Sequence, residues 1–185
     1  KGIVDISFTV LTKSGTMQID LQEPMLLDKA ELNGQNLAFQ REGNVFHINI
    51  REDLPLNSVQ KISLAYSGKP VEAIRPPWDG GWIWTKDKNG NPWMSVACQG
   101  LGASVWYPCK DHQSDEPNKG ASLNMTVPSD LVAVGNGRLK NKQSSGNGTT
   151  TYTWEVKNPI NNYNIIPYIG KYVSWKESFA GEKGP

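Results

Sequence analysis

Ile6-Ser7-Phe8-Thr9-Val10 alternates apolar and polar residues at every step, and Met17-Gln18-Ile19-Asp20-Leu21 repeats the pattern a few residues later. Phe46, Ile48 and Ile50 follow the same rule, as do Ile62, Leu64 and Tyr66. So do Leu123, Met125 and Val127, then Tyr152, Trp154 and Val156. Successive side chains of a strand leave on opposite faces, so each run has one face for a core and one for water or a second sheet. Between the runs lie Ser14-Gly15, Asn33-Gly34, Glu42-Gly43-Asn44, Ser67-Gly68, Asn89-Gly90 and Asn136-Gly137. Gly and Asn tolerate the positive φ that tight hairpin turns require. No window of a dozen residues carries the helical spacing of apolar positions. The pattern predicts an all-β, mostly antiparallel chain, either a β-sandwich or an open, curved, saddle-like sheet.

The chain has 185 residues, which predicts one domain, with a core that needs no disulfide staple. Residues 1–179 read as that domain. Residues 180–185, Ala-Gly-Glu-Lys-Gly-Pro, read as a linker. With 19 Lys and Arg against 18 Asp and Glu, the net charge of +1 argues against a strongly basic nucleic-acid surface. No apolar run approaches the roughly 18 residues of a membrane span. No leader is visible at Lys1, and one removed earlier would leave no trace, so localisation stays open. Cys98 and Cys109 allow one bridge or two free thiols. The two histidines, His47 and His112, form no HExxH, which argues against a self-contained zinc hydrolase.

The texture changes between Pro76 and Pro117, which hold five of the seven tryptophans and both cysteines. In Pro76-Pro77-Trp78-Asp79-Gly80-Gly81-Trp82-Ile83-Trp84 the aromatics suit either packing or stacking on a sugar ring, and packing is the favoured reading. Trp82 and Trp84 share strand parity, and Asn89-Gly90 turns the chain back through Trp93. In Ser95-Val96-Ala97-Cys98-Gln99-Gly100 a strand ends in small residues that let another chain come close. Gln99 there offers an acceptor oxygen to a ligand ammonium, although spacing alone favours an ordinary strand end. In Cys109-Lys110-Asp111-His112-Gln113-Ser114-Asp115-Glu116, one His with carboxylates in a single loop is a poor metal set. A turn with Asp side chains on backbone amides is the better reading. Val127-Pro128 to Asn136-Gly137-Arg138-Leu139 reads as strand, Pro-led turn, strand and hairpin turn. Asn124-Met125-Thr126 and Asn147-Gly148-Thr149 fit the glycosylation sequon, a common chance match.

Taken in order, Cys98-Gln99-Gly100, Trp106-Tyr107-Pro108-Cys109-Lys110-Asp111, Val127-Pro128, Asn136-Gly137-Arg138-Leu139 and Trp154 to Pro159 leading to Tyr163 resemble the N-terminal β domain of the M1 family of zinc aminopeptidases. This is the gluzincin group that includes aminopeptidase N and leukotriene A4 hydrolase. Asp79-Gly80-Gly81-Trp82 and Asn91-Pro92-Trp93 resemble a bacterial subgroup. The resemblance is clearest from about Ile62 to Tyr172, and it implies that the family's opening strands are trimmed before Lys1.

The resemblance implies a non-catalytic domain that packs on its own catalytic domain, with the zinc site and the Gly-x-Met-Glu-Asn motif in that following domain. It implies no cofactor and no metal ligand in this chain, no catalytic residue, and no turnover by the chain alone. Gln99 matches the residue that helps hold the free α-amino group of a peptide substrate, with Gly100 beside it. Relatives of the bacterial subgroup imply an envelope, periplasmic or secreted location. Two alternatives stand beside this: a carbohydrate-binding β-sandwich with a platform of Trp78, Trp82 and Trp84, and a scaffold domain in a protein whose zinc motif has decayed. Coplanar, solvent-facing tryptophans would favour the carbohydrate reading.

Overall fold

A computed structural model describes residues 1–182; the three final residues of the linker reading, 183–185, lie outside the described residues. The first half contains β1 (Gly2–Thr9), β2 (Thr16–Asp20), β3 (Leu26–Leu32), β4 (Gln35–Asn36), β5 (Phe39–Glu42), β6 (Val45–Asn49) and β7 (Val59–Ser67). These form two antiparallel sheets, in the orders β1-β7-β3-β4 and β2-β6-β5. Ile62, Leu64, Ala30 and Leu32 of one sheet and Ile19, Phe46 and Ile48 of the other share one buried cluster, so the two sheets make a sandwich. Ile48, Ile62 and Leu64 are wholly buried, which stabilises the fold by about 1.5–3 kcal/mol per side chain. Each sits at an inward position of the alternation, which is why these runs were legible as strands.

β3 follows a different rule. Its register against β7 slips between Leu27 and Lys29, where an extra residue forms a bulge. The bulge resets the phase, so Leu27, Ala30 and Leu32 all point inward although they are not evenly spaced. At the end of β3 the chain reverses through Asn33 and Gly34, both with positive φ, and Leu32 pairs with Gln35. That is the tight turn their residue types predict.

The second half contains β8 (Gly81–Lys86), β9 (Pro92–Ala97), β10 (Ala121–Pro128), β11 (Val132–Val134), β12 (Arg138–Ser144), β13 (Thr149–Val156) and β14 (Tyr168–Gly170). The sheets here are β11-β14-β9-β8 and β10-β13-β12, both antiparallel. Met125, Val127 and Tyr152 from one meet Ala133 from the other, together with Leu131. Asn89-Gly90 closes the β8–β9 hairpin, with Thr85 opposite Trp93.

Asn136-Gly137 departs from the hairpin expectation. β11 pairs with β14 and β12 with β13, so the dipeptide carries the chain from one sheet to the other. Its Asn136 side chain accepts a hydrogen bond from the Ile166 amide at 3.0 Å, a use of Asn that local sequence does not reveal. Among the described residues there is no α-helix, only two short 3-10 turns at Ala103–Val105 and Asn162–Asn164. Among the described residues no helix is long and apolar enough to cross a membrane.

A third cluster joins the halves. Val96, Ala103, Val105, Trp106, Tyr107 and Cys109 are buried together, and Val4 and Tyr66 of the first sandwich pack against them with Ile165 and Ile166 from beyond β13. The segment that carries the candidate site therefore sits at the junction of the two halves.

Candidate functional site

β9 ends at Ala97, and the chain turns tightly. The Cys98 carbonyl accepts from the amides of Leu101 at 3.2 Å and Gly102 at 2.8 Å. Gln99 and Gly100 form the exposed tip of this turn. Gly100 has φ +70°, in the left-handed region that a glycine enters without strain. Behind the tip lies Gly80, where any side chain would collide with the Gln99 carbonyl and with Leu101. The sequence reading has a strand ending in small residues just before Gln99, and β9 ends at Ala97.

The chain after the turn is held by polar groups from far away. The Asp111 carboxylate accepts hydrogen bonds from the amides of Ala103 (3.1 Å) and Ser104 (3.0 Å), which open the first 3-10 turn. The Asp20 carboxylate in turn accepts from the Asp111 amide at 2.9 Å. Asp20 and Cys109 form an isolated antiparallel bridge, with backbone bonds of 2.8 and 3.1 Å. Gln22 donates from its side-chain amide to the Leu101 carbonyl and to Ser104 Oγ, and its backbone amide bonds the Ser104 carbonyl at 3.0 Å. On the far side the Tyr107 hydroxyl donates to the Asn162 carbonyl at 2.9 Å, and Asn162 Nδ2 donates to the Lys110 carbonyl.

The carboxylates of the Cys109–Glu116 loop thus have structural work. Asp111 binds backbone amides, as the turn reading predicts, and Asp115 pairs with Lys110 at 3.0 Å. Zinc, the metal that the family resemblance implies for a following domain, does not fit these residues. Among the described residues no group of three or more His, Cys, Asp or Glu lies where it could hold a metal ion. Both cysteines are free thiols. Burial, with the nearby Asp111 charge, pushes the Cys98 thiol up to about 12. Cys109 is raised further by the same two causes, burial first. Thiols held protonated in this way are poor nucleophiles.

The tryptophans pack in a chain. Trp82 and Trp84 have ring centroids 5.4 Å apart with planes inclined 38°, and Trp82 meets buried Trp106 at 6.1 Å and 60°. Trp78 is 81% exposed. The flat, three-ring platform of the carbohydrate-binding alternative is not formed: Trp82 and Trp84 are inclined to each other and Trp82 turns in toward Trp106, while Trp84 and Trp78 stay exposed. Val71, Ile74, Trp78 and Trp84 are exposed, as is Leu101 within the Gln99 turn itself.

Sequence reasoning missed Asp20 and Gln22. Each lies 79 to 91 positions from its partner, and the alternation that places Asp20 on a strand says nothing of a loop across the molecule.

Against proteins of known structure, the chain aligns with an M1 zinc metallopeptidase from Deinococcus radiodurans over 91% of its own length and 37% of that chain. The TM-score is 0.72 and the identity 21%. The fold is that of the M1 aminopeptidase N-terminal domain. Leukotriene A4 hydrolase from Saccharomyces cerevisiae also aligns, with a TM-score of 0.65 and 21% identity over 91% of this chain and 26% of that one. In sequence, leucine aminopeptidase 2 of Vanderwaltozyma polyspora is 27% identical over 192 residues, spanning all of this chain and 27% of that protein. No family model matches the chain. The chain thus spans between about a quarter and two-fifths of the length of these relatives.

Proposed function

We propose that residues 1–179 are one non-catalytic domain of a zinc metallo-aminopeptidase. The domain packs on the enzyme's catalytic domain and lends the Cys98–Gly102 turn to the wall of the peptide cleft. Gln99 and Gly100 are the substrate-binding residues, with the Gln99 amide oxygen accepting from the free α-amino group of the peptide. The observation that carries this reading is an exposed polar tip on a turn held by Gln22, approached closely by Gly80, and followed at once by the amides that Asp111 pins. Binding groups work best when their support is rigid. The likeness in sequence and fold to proteins bearing peptidase names supports the same reading. A neutral amide contributes direction rather than charge, since it accepts from an ammonium without adding a carboxylate. The exposed Val71, Ile74, Trp78, Trp84 and Leu101 set supplies apolar surface for the domain contact.

The test is Gln99→Ala in the full-length protein, assayed on amino-acid anilides. Loss of one hydrogen bond to a charged group should raise KM about tenfold, with a smaller change in kcat. Unchanged KM and kcat would remove Gln99 from the site. Peptide turnover by residues 1–185 alone with added zinc would overturn the non-catalytic assignment.

A further inference from the structure

We infer that Gln22 is a positioning residue for the candidate substrate contact, acting through the Cys98–Gly102 turn; the inference rests on the reading of Gln99 given above. Gln22 lies in the connection between β2 and β3, on a segment that the first sandwich holds firmly. Leu21 is wholly buried in the core, and its amide bonds the Asn44 carbonyl at 2.9 Å. The Glu23 amide bonds Asn44 Oδ1 at 3.0 Å. From this anchored base the Gln22 side chain reaches across the molecule and donates to the Leu101 carbonyl and to Ser104 Oγ.

Leu101 is two residues beyond Gln99 within the same hydrogen-bonded turn. Fixing its peptide plane fixes the direction in which the tip faces. Gly80 also approaches the turn closely, since a Cβ there would collide with the Gln99 carbonyl and Leu101. The turn is thereby held by a side chain of the first half and crowded by a glycine that precedes β8. Gln22 suits this role through chemistry: its NH2 group has two donors, and here they serve one backbone and one side-chain oxygen.

The side chain is separable from the fold. The backbone amide of Gln22 still holds the Ser104 carbonyl, and the Asp20–Cys109 bridge remains, when the side chain is removed. Gln22→Ala therefore releases the turn tip without detaching the loop.

The experiment is a double-mutant cycle in the full-length protein: Gln22→Ala, Gln99→Ala and the pair, each assayed for kcat and KM on an amino-acid anilide and followed by thermal unfolding. Gln22→Ala should raise KM about threefold to tenfold and leave kcat within about twofold, since a lost neutral hydrogen bond is modest. In the Gln99→Ala background it should add nothing, which a merely structural role would not produce. Gln22→Glu keeps the shape but removes both donors, and should match or exceed the effect of Gln22→Ala. An unaltered KM in Gln22→Ala, with KM raised in Gln99→Ala, would overturn the positioning role and leave the Gln99 reading intact. Additive effects, or a fall in kcat that tracks a lowered Tm, would overturn it too. No effect from Gln99→Ala would overturn the Gln99 reading itself and the inference with it.

Discussion

Along β1 and β7 every residue from Gly2 to Thr9 faces a partner from Tyr66 to Val59 without a slip, and the apolar side of β7 sinks into a core that excludes water. Between Cys98 and Asp111 the chain has no ladder of that kind. Its amides and carbonyls are met by Asp20, Gln22, Asp111 and Asn162, most of them far away in sequence. One region is held by repeated backbone pairing over apolar burial. The other adds to its own buried cluster and a handful of backbone bonds a few side chains that each serve one or two polar groups. A buried polar group without a partner costs more than a made hydrogen bond gains, so an irregular segment at a junction needs every one of these partners. It also leaves Gln99 exposed on a fixed base, which a regular strand would not do.

If that contrast is right, the largest effect comes from the sandwich. Leu64→Ala removes a wholly buried side chain from β7 and should cost about 2–5 kcal/mol, measured by denaturant unfolding of the chain. A cost under about 1 kcal/mol would mean the sandwich core is looser than its burial implies. The loop should respond less in stability and more locally. Asp111→Ala strips the acceptor from the Ala103 and Ser104 amides and should cost about 1–3 kcal/mol. Hydrogen exchange would show the difference: those two amides should lose protection while the β1–β7 amides keep theirs. Equal loss along β1 and β7 would erase the distinction between the regions.

The same contrast explains what could be read in advance. Six alternating runs announced strands because each strand needs only its own period-two pattern to find a core face. β3 escaped that reading because its bulge breaks the period, and Asn136-Gly137 misled because an Asn-Gly pair reports a bend, not which strand follows it. Cys98-Gln99-Gly100 stood out through its small residues and its family likeness, and it does form an exposed turn. Its supports did not stand out, since nothing about Gln22 in its local sequence points 79 positions ahead to Leu101. Local rules report periodicity and turn chemistry; they are blind to a side chain whose only partner lies across the fold.

Charge gives the finest test of the contrast. Lys61 of β7 pairs with Asp5 of β1 at 2.7 Å on the exposed side of the ladder, and its hydrogen bond is the chief reason the Asp5 carboxyl lies below its ordinary value of 3.8. A group with a depressed folded pKa adds stability above its unfolded value and loses it as pH falls through the folded one. The pair therefore contributes above about pH 4 and fades below it, by the unfolded reference value of an Asp carboxyl. An exposed pair of this type is worth about 0.2–1 kcal/mol, so Lys61→Ala should lower stability at pH 7 by no more than that. It should also flatten the pH dependence of unfolding below pH 3.8, and added salt should shrink the wild-type advantage. Denaturant titrations of both proteins at neutral and acid pH would measure it. A Lys61→Ala cost approaching that of Leu64→Ala would show that the β1–β7 ladder leans on charge rather than on the apolar face beneath it.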